Sequence, residues 1–228
     1  MRHVHNPWRQ LEVPAADYRL PMDTGVVLNP VVYPPQPWLG SFDRGRVLWL
    51  LGGFGTGIDM AIDRDDCRPQ VLAWVKENLA ADLPSTPNAW LGRFPELEEF
   101  AGSRDTAWWL SKTAALQTAL GGGDEARHLL AERLFVLEAH PYPARTNPKL
   151  EVPSMAFTAH LLSQWLESSR PVVIARAARF WTDLVPALGR AVEAGKAFVA
   201  RNPQQATISA GNLTDADTFP RLVRALSE

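Results

Sequence analysis

An α/β fold, three-layered around a central, mostly parallel sheet of about four strands, is the architecture this sequence predicts. Short apolar runs recur at wide intervals: Arg46–Leu51, Leu134–Leu137, Pro171–Ala175 and Ala197–Ala200. Between them lie segments whose apolar residues fall at helical spacing. The first run stops on Gly52-Gly53-Phe54-Gly55-Thr56-Gly57 and then reaches Asp59. That is the pattern of a buried strand feeding a loop at the carboxyl edge of a sheet, where open α/β folds bind ligands.

The elements follow in order. Residues 1–45 are proline-rich and short of periodicity, with Pro30, Pro34, Pro35 and Pro37 close together. They read as an extended arm with one short strand at Val26–Asn29. Val47-Leu48-Trp49-Leu50-Leu51 is apolar at every position, as a strand covered on both faces must be. Val71, Leu72, Val75 and Leu79 predict a helix over 69–79, and the proline- and glycine-punctuated stretch 82–104 is expected to cover one edge of the core. A second helix, Thr106–Leu120, stops at the triple glycine 121–123, and Asp124 is expected to cap a third, Glu125–Glu132. Leu134–Leu137 forms the second strand and leads into Glu138-Ala139-His140-Pro141-Tyr142-Pro143. Helix Ser154–Ser168, strand Pro171–Ala175, helix Trp181–Ala194 and strand Ala197–Ala200 come next. A polar loop, Asn202–Asn212, precedes a final helix opened by Thr214 or Asp215. Strands alternating with helices imply βαβ units and right-handed crossovers. No repeat interrupts the pattern, so a single domain over 1–228 is expected.

Composition sets the bounds. With 46% apolar and 21% charged residues, the 228-residue chain has an ordinary globular make-up. A net charge of −2 gives no global basic field, although a local basic face can still bind DNA. A lone cysteine, Cys67, rules out an internal disulfide and fits a reducing cytoplasm. No run reaches membrane-spanning length, and no apolar leader opens the chain; a soluble cytoplasmic monomer is expected. The glycine loop is neither G-x-G-x-x-G with a ribose acid nor a P-loop, since no lysine follows it. Five histidines and one cysteine show no metal-ligand spacing, so no cofactor is expected.

The strand ends carry a further pattern. Pro34-Pro35-Gln36-Pro37-Trp38-Leu39-Gly40 leads into the first strand, and the acid-ended loop closes on Asp59. Trp108-Trp109, Leu137-Glu138-Ala139-His140-Pro141-Tyr142, Arg176 to Trp181, and Asn202-Pro203 with Ser209 and Asn212 follow in order. This series, from Val32 to Leu226, resembles the uracil-DNA glycosylase superfamily, in particular its divergent bacterial members. The resemblance implies an enzyme that extrudes a base from DNA and hydrolyses its N-glycosidic bond, leaving an abasic site. Some such relatives hold an iron–sulfur cluster on four cysteines, which this chain lacks. The chain also departs from the pattern. Relatives commonly have Asn-Pro-Gly where Gly52-Gly53-Phe54 stands, and His-Ser where Pro143-Ala144 follows the Pro-Tyr. Decay to a non-catalytic DNA-binding protein, retention of ordinary uracil or damaged-base repair, and a changed substrate are the alternatives. Glycines at 52, 53, 55 and 57 remove side-chain bulk and leave backbone N–H groups free. A pocket so lined suits a bulky base, such as the hypermodified or glucosylated cytosine of phage DNA, and hence antiviral defence.

Site candidates follow from these positions. Asp59 can orient a water or stabilise the positive charge developing on the sugar; its structural alternative is a helix cap or loop hydrogen bond. Asp63, Asp65 and Asp66 are its understudies. Glu138 is the second catalytic candidate, and Glu138 and His140, at alternate positions, can face one side and bind the base. Gly52, Gly53, Phe54, Gly55 and Tyr142 complete the expected base pocket, Phe54 and Tyr142 as stacking or packing rings. Arg145, Lys149, Arg176 and Arg179 are candidate phosphate contacts, and Asn202, Pro203, Gln204 and Asn212 occupy the place of the superfamily's duplex wedge.

Overall fold

The computed structural model of the chain describes residues 4–24, 33–53, 60–143 and 152–228. At its centre lies a five-stranded sheet in the spatial order β1-β3-β2-β4-β5. The strands are β1 (Trp38–Leu39), β2 (Val47–Leu51), β3 (Leu134–Glu138), β4 (Val172–Ile174) and β5 (Ala197–Val199). β3, β2, β4 and β5 run parallel, and β1 pairs antiparallel with β3. The four parallel strands are those the apolar runs predict. The fifth, β1, is hidden in the proline-rich segment, because two residues are too few to display a period. It lies at the sheet edge, where neighbouring prolines break no ladder.

Period-two alternation sorts the side chains to two faces. Trp49, in register with Val136, stacks on Trp108 at 6.1 Å and meets Trp109 edge-on at 5.7 Å. Both partners belong to helix α2 (Arg104–Ala119), which follows α1 (Arg68–Ala80). Phe135, one residue earlier on β3 than Val136, faces the other way and stacks on Trp165 of α4 (Met155–Glu167). Helices therefore cover both faces, and the result is an α/β sandwich. One hydrophobic cluster runs through it from Trp8 to Leu226. Gly40 has φ +90, and a Cβ there would sit 2.6 Å from the Leu134 carbonyl, so only glycine lets the chain cross behind β3.

Three helix boundaries differ from the sequence expectation, each for a local reason. Helix α3 (Gly123–Arg133) is preceded by Gly122 at φ +73, so Asp124 stands in the first turn rather than at the cap and pairs with Arg127 at 2.7 Å. The segment expected as one helix, Trp181–Ala194, is two: α5 (Ala178–Leu184) and α6 (Ala187–Glu193). Pro186 lies between them; it lacks an N–H and its ring would collide with the preceding turn. The last helix, α7 (Thr218–Ser227), starts beyond Thr214 and Asp215 because Asp215 first closes a turn, its carbonyl accepting the Thr218 N–H at 3.2 Å.

The N-terminal arm is a strap rather than a loose extension. Trp8, Tyr18 and Leu20 are buried. The Asn6 amide donates to the carbonyls of Leu79 (3.0 Å) and Ala81 (2.7 Å), satisfying the frayed end of α1. Asp23, wholly buried, accepts the Tyr142 hydroxyl at 2.5 Å and the Ser154 N–H at 3.0 Å. The strand expected at Val26–Asn29 lies outside the described residues. No helix among the described residues is long and apolar enough to cross a membrane.

Asp23→Ala removes an acceptor from two buried donors and should lower unfolding free energy by about 2–4 kcal/mol. Asp17→Ala, at an exposed pair with Arg19, should change it by less than about 1 kcal/mol. Urea denaturation of the two variants against the parent protein measures both.

Candidate functional site

Along the chain, β2 is followed by β3 on one side of it in the sheet, and β4 then pairs with β2 on the other. The strand order reverses at β2 and β4, and an open sheet gapes for a ligand outside the carboxyl ends of such a pair. Gly52 and Gly53 leave β2 there, Glu138 ends β3, and Ala175 and Arg176 leave β4.

Hydrogen bonds beyond the ladder fix this edge. The Leu51 carbonyl accepts from the Ala139 N–H at 3.2 Å and from the Trp181 indole at 3.0 Å. The Ala175 N–H donates to the Leu50 carbonyl at 3.0 Å, and the Glu138 N–H to that of Pro37 at 3.1 Å. With the strand ends so held, Gly53 donates its N–H to Glu138 Oε2 at 2.9 Å. Gly53 has φ +136, a backbone conformation that side-chain-bearing residues rarely adopt.

Glu138 is only 2% exposed. Burial pushes its carboxyl up to about 8, while the Gly53 N–H and the charge of Arg176 pull it down. At neutral pH it is therefore mostly the uncharged acid, which carries one hydroxyl donor along with its acceptors. Such a group can pair with a base edge in both senses.

His140 is as deeply buried, with Nδ1 2.9 Å from the Tyr142 carbonyl. A carbonyl only accepts, so the proton sits on Nδ1 and Nε2 is left as an acceptor. Nε2 has no hydrogen-bond partner among the described residues. Burial lowers the imidazole's pKa, which keeps it neutral.

Arg176 reaches across the edge. Its Nη2 donates to the Gln204 carbonyl at 2.8 Å, while Nε is buried with no partner among the described residues. A cavity of about 280 Å³ lies beside it between the ends of β4 and β5, lined by Ile174, Phe180, Ala200, Pro203 and Arg179 as well. Ala177, in the left-handed region at φ +53, turns the chain sharply into α5 and keeps Arg176 at the rim.

The other sequence candidates divide three ways. Phe54, Gly55, Gly57, Asp59, Arg145 and Lys149 lie outside the described residues. Tyr142 is committed to the strap: its hydroxyl serves Asp23 and accepts the Leu20 N–H at 3.0 Å, and its ring packs edge-on against Trp8. The geometry therefore gives Tyr142 the packing role and not base stacking. Asn212, 4% exposed, accepts the Asn202 N–H at 2.8 Å and donates to the Thr207 carbonyl at 2.8 Å, so it shapes the Asn202 loop from inside instead of meeting DNA. The Asn202 side chain accepts the Gln204 N–H at 3.0 Å, Gln204 is exposed, and Pro203 faces the cavity. Arg179 is solvent-facing and 3.6 Å from Asp183. Asp63 accepts the Tyr33 hydroxyl, and Asp65 and Asp66 face Arg68 and Arg64.

Sequence reasoning missed Asp23, Asp105 and the Trp181 indole. Asp105 is 5% exposed and accepts the Ala61 N–H at 2.8 Å, yet in the sequence it is an ordinary acid of a helix's first turn. Among the described residues, no group of three His, Cys, Asp or Glu side chains is placed to hold a metal ion. Comparison with protein-family models, curated proteins and solved structures finds no match for this chain.

Because the folded state binds the Glu138 proton more tightly than the unfolded chain does, the group's contribution is fully present below its ordinary pKa of 4.5. It is lost as the pH climbs to about 8. Thermal melting at pH 6.0 and 8.5 should show Tm falling by about 5 °C or more. Glu138→Gln should remove most of that fall, since the amide does not titrate.

Proposed function

We propose that this protein is a DNA glycosylase of the uracil-DNA glycosylase type, acting on an extruded base with a bulky substituent. The observation that carries the reading is the meeting of Gly53, Glu138 and Arg176 at the sheet's switch point. A neutral carboxylic acid, a glycine corner and a guanidinium at one sheet edge suit recognition of a polar, planar ring linked to a phosphate chain. Glu138 and the Nε2 of His140 supply complementary hydrogen bonds to the base edge. Arg176 and Arg179 meet the phosphates, with the Pro203–Gln204 turn beside them.

In the reaction, water adds to the sugar's C1′ as the C1′–N bond breaks. The electron pair leaves with the base, which gains a proton, and the sugar keeps a C1′ hydroxyl. Asp59, at the far end of the glycine loop in the chain, orients that water and offsets the charge developing on the sugar. Glu138 in its protonated form donates to the departing base. Hypermodified or glucosylated cytosine of phage DNA is the substrate class, and defence as a cytoplasmic monomer is the corresponding role.

Purified protein is incubated with matched DNAs carrying cytosine, uracil or glucosylated hydroxymethylcytosine, and abasic sites are read by alkaline cleavage. Cleavage of the modified DNA at least about tenfold faster than the others is expected. Abasic sites only in uracil-containing DNA would overturn the substrate class. No cleavage of any DNA, with binding intact, would favour the non-catalytic reading.

Asp59→Asn should abolish cleavage and leave DNA affinity within about twofold, because shape is kept and charge removed. Arg176→Ala should weaken binding to all sequences alike and lower the slope of log affinity against log salt by about 1.

A further inference from the structure

The cavity of about 280 Å³ that Arg176 borders lies between the ends of β4 and β5 and the start of α5. Small side chains keep it open. Ala175, Ala177, Ala178 and Ala200 all line it, in a protein whose core is otherwise packed with buried tryptophans. Its walls are firmly held. The Ala200 N–H donates to the Ile174 carbonyl at 2.9 Å, Ala200 bridges to Leu213, and Asn212 shapes the following loop from inside. A void here costs stability that a larger side chain would recover.

The lining is apolar but for two cations. Phe180 and Pro203 contribute rings, and the charged side chains among the described residues are Arg176 and Arg179, with no carboxylate. Arg179 pairs with Asp183 at 3.6 Å, but both are open to solvent, which leaves the cation able to take a second anion. Arg176 binds the Gln204 carbonyl through Nη2, and its buried Nε has no partner among the described residues. An apolar slot bordered by guanidinium groups complements a flat ring that carries negative charge outside the slot. A nucleobase joined to its phosphate has that form. Aromatic side chains and arginines are also the groups on which proteins stack bases without reading their sequence.

Arg176 stands between two places. Its charge reaches Glu138 on one side, and it borders the cavity on the other. From the end of β3 to the gap between β4 and β5 is two and a half strand spacings, about 12 Å. Neighbouring bases stacked in a duplex strand are only about 3.4 Å apart. Two bases held at these two places are therefore not stacked on each other. One phosphate joins neighbouring nucleotides, and a guanidinium between the two places suits it.

We infer that this cavity is a second base subsite, taking the unstacked base of a nucleotide next to the extruded one, with Arg176 on the phosphate between them. The inference rests on the glycosylase reading for the first base, and on the cavity and its arginines for the second. It makes the substrate a strand opened over two nucleotides, not a duplex with a single base turned out.

NMR titration of the protein with thymidine monophosphate should shift the amides of Ala178, Val199 and Ala200, and inorganic phosphate should leave those three in place. Affinity is then measured with short single-stranded DNAs carrying glucosylated hydroxymethylcytosine, with the base on one side or the other replaced by a base-less sugar. Removing one of the flanking bases should weaken binding to the parental protein about tenfold. In Ala178→Leu, whose side chain fills the slot, the same removal should cost less than about twofold. Should A178L fail to fold, Phe180→Ala takes its place, and the same loss of dependence is expected. Thymidine monophosphate leaving the three amides unshifted overturns the inference. So does equal dependence on the flanking base in variant and parental protein. A variant that loses dependence on the target base instead also overturns it, because the cavity then holds the extruded base itself. If no DNA loses a base while the amide shifts and the flanking-base effect are seen, the glycosylase reading fails and the subsite stands.

Discussion

The carbonyl of Leu51 is the fixed point of this structure. It ends a strand that is buried at all five positions and has parallel neighbours on both sides. Two donors from opposite flanks converge on it, the Ala139 N–H from the β3 exit and the Trp181 indole from α5. Each such bond to a buried carbonyl contributes about 1 kcal/mol, and losing either would leave a polar atom stranded at the sheet edge. More important is what the pair aligns. Ala139 follows Glu138 directly, and Trp181 anchors the helix that begins just after Arg176. A single peptide group therefore sets three strand ends in a common frame.

Within this frame the Glu138 carboxyl is held at a cost. An ionised carboxylate in an apolar interior is unfavourable by several kcal/mol, and neither one N–H nor a guanidinium nearby cancels the penalty. The group responds by holding its proton to about pH 8. A core position would be filled more stably by leucine, so a buried acid here is a liability to folding alone. Such liabilities concentrate where chemistry needs them. The neighbouring His140 shows the same signature in the opposite sense, a buried imidazole kept neutral, with one nitrogen lacking a partner among the described residues.

The parallel strands were legible because burial on both faces writes itself as an unbroken apolar run. Val47–Leu51 and Leu134–Leu137 have no other reading at that length. The positions of Gly53 and Glu138 were legible for a related reason: polar or glycine residues that end such runs sit at the carboxyl edge of the sheet. What escaped was whatever depends on pairing across long separations. Asp23 meets Tyr142 and Ser154 more than a hundred residues away, and nothing beside it in the arm announces the partnership. Asp105 is hidden by its helical setting. Asn212 was assigned an outward role from its place in a motif, whereas burial turned it inward, and of the two readings left open for Tyr142 burial selects packing. Pro186 was visible in the sequence, but the helical spacing around it masked the break.

Gly53 shows how a motif can hold more than one physical reason. Sequence alone suggests that glycine there opens volume for a large base. The backbone supplies a second reason, since φ of +136 excludes a side chain comfortably whatever fills the pocket. The turn at this angle is what presents the Gly53 N–H to Glu138, so the corner would need glycine even around a small substrate. Gly52 is different: it lies before the corner, is buried, and is not among the positive-φ residues. Its missing side chain is not demanded by torsion. On the proposed reading, admission of a bulky base would therefore draw on Gly52 rather than on Gly53, whose glycine the turn already requires.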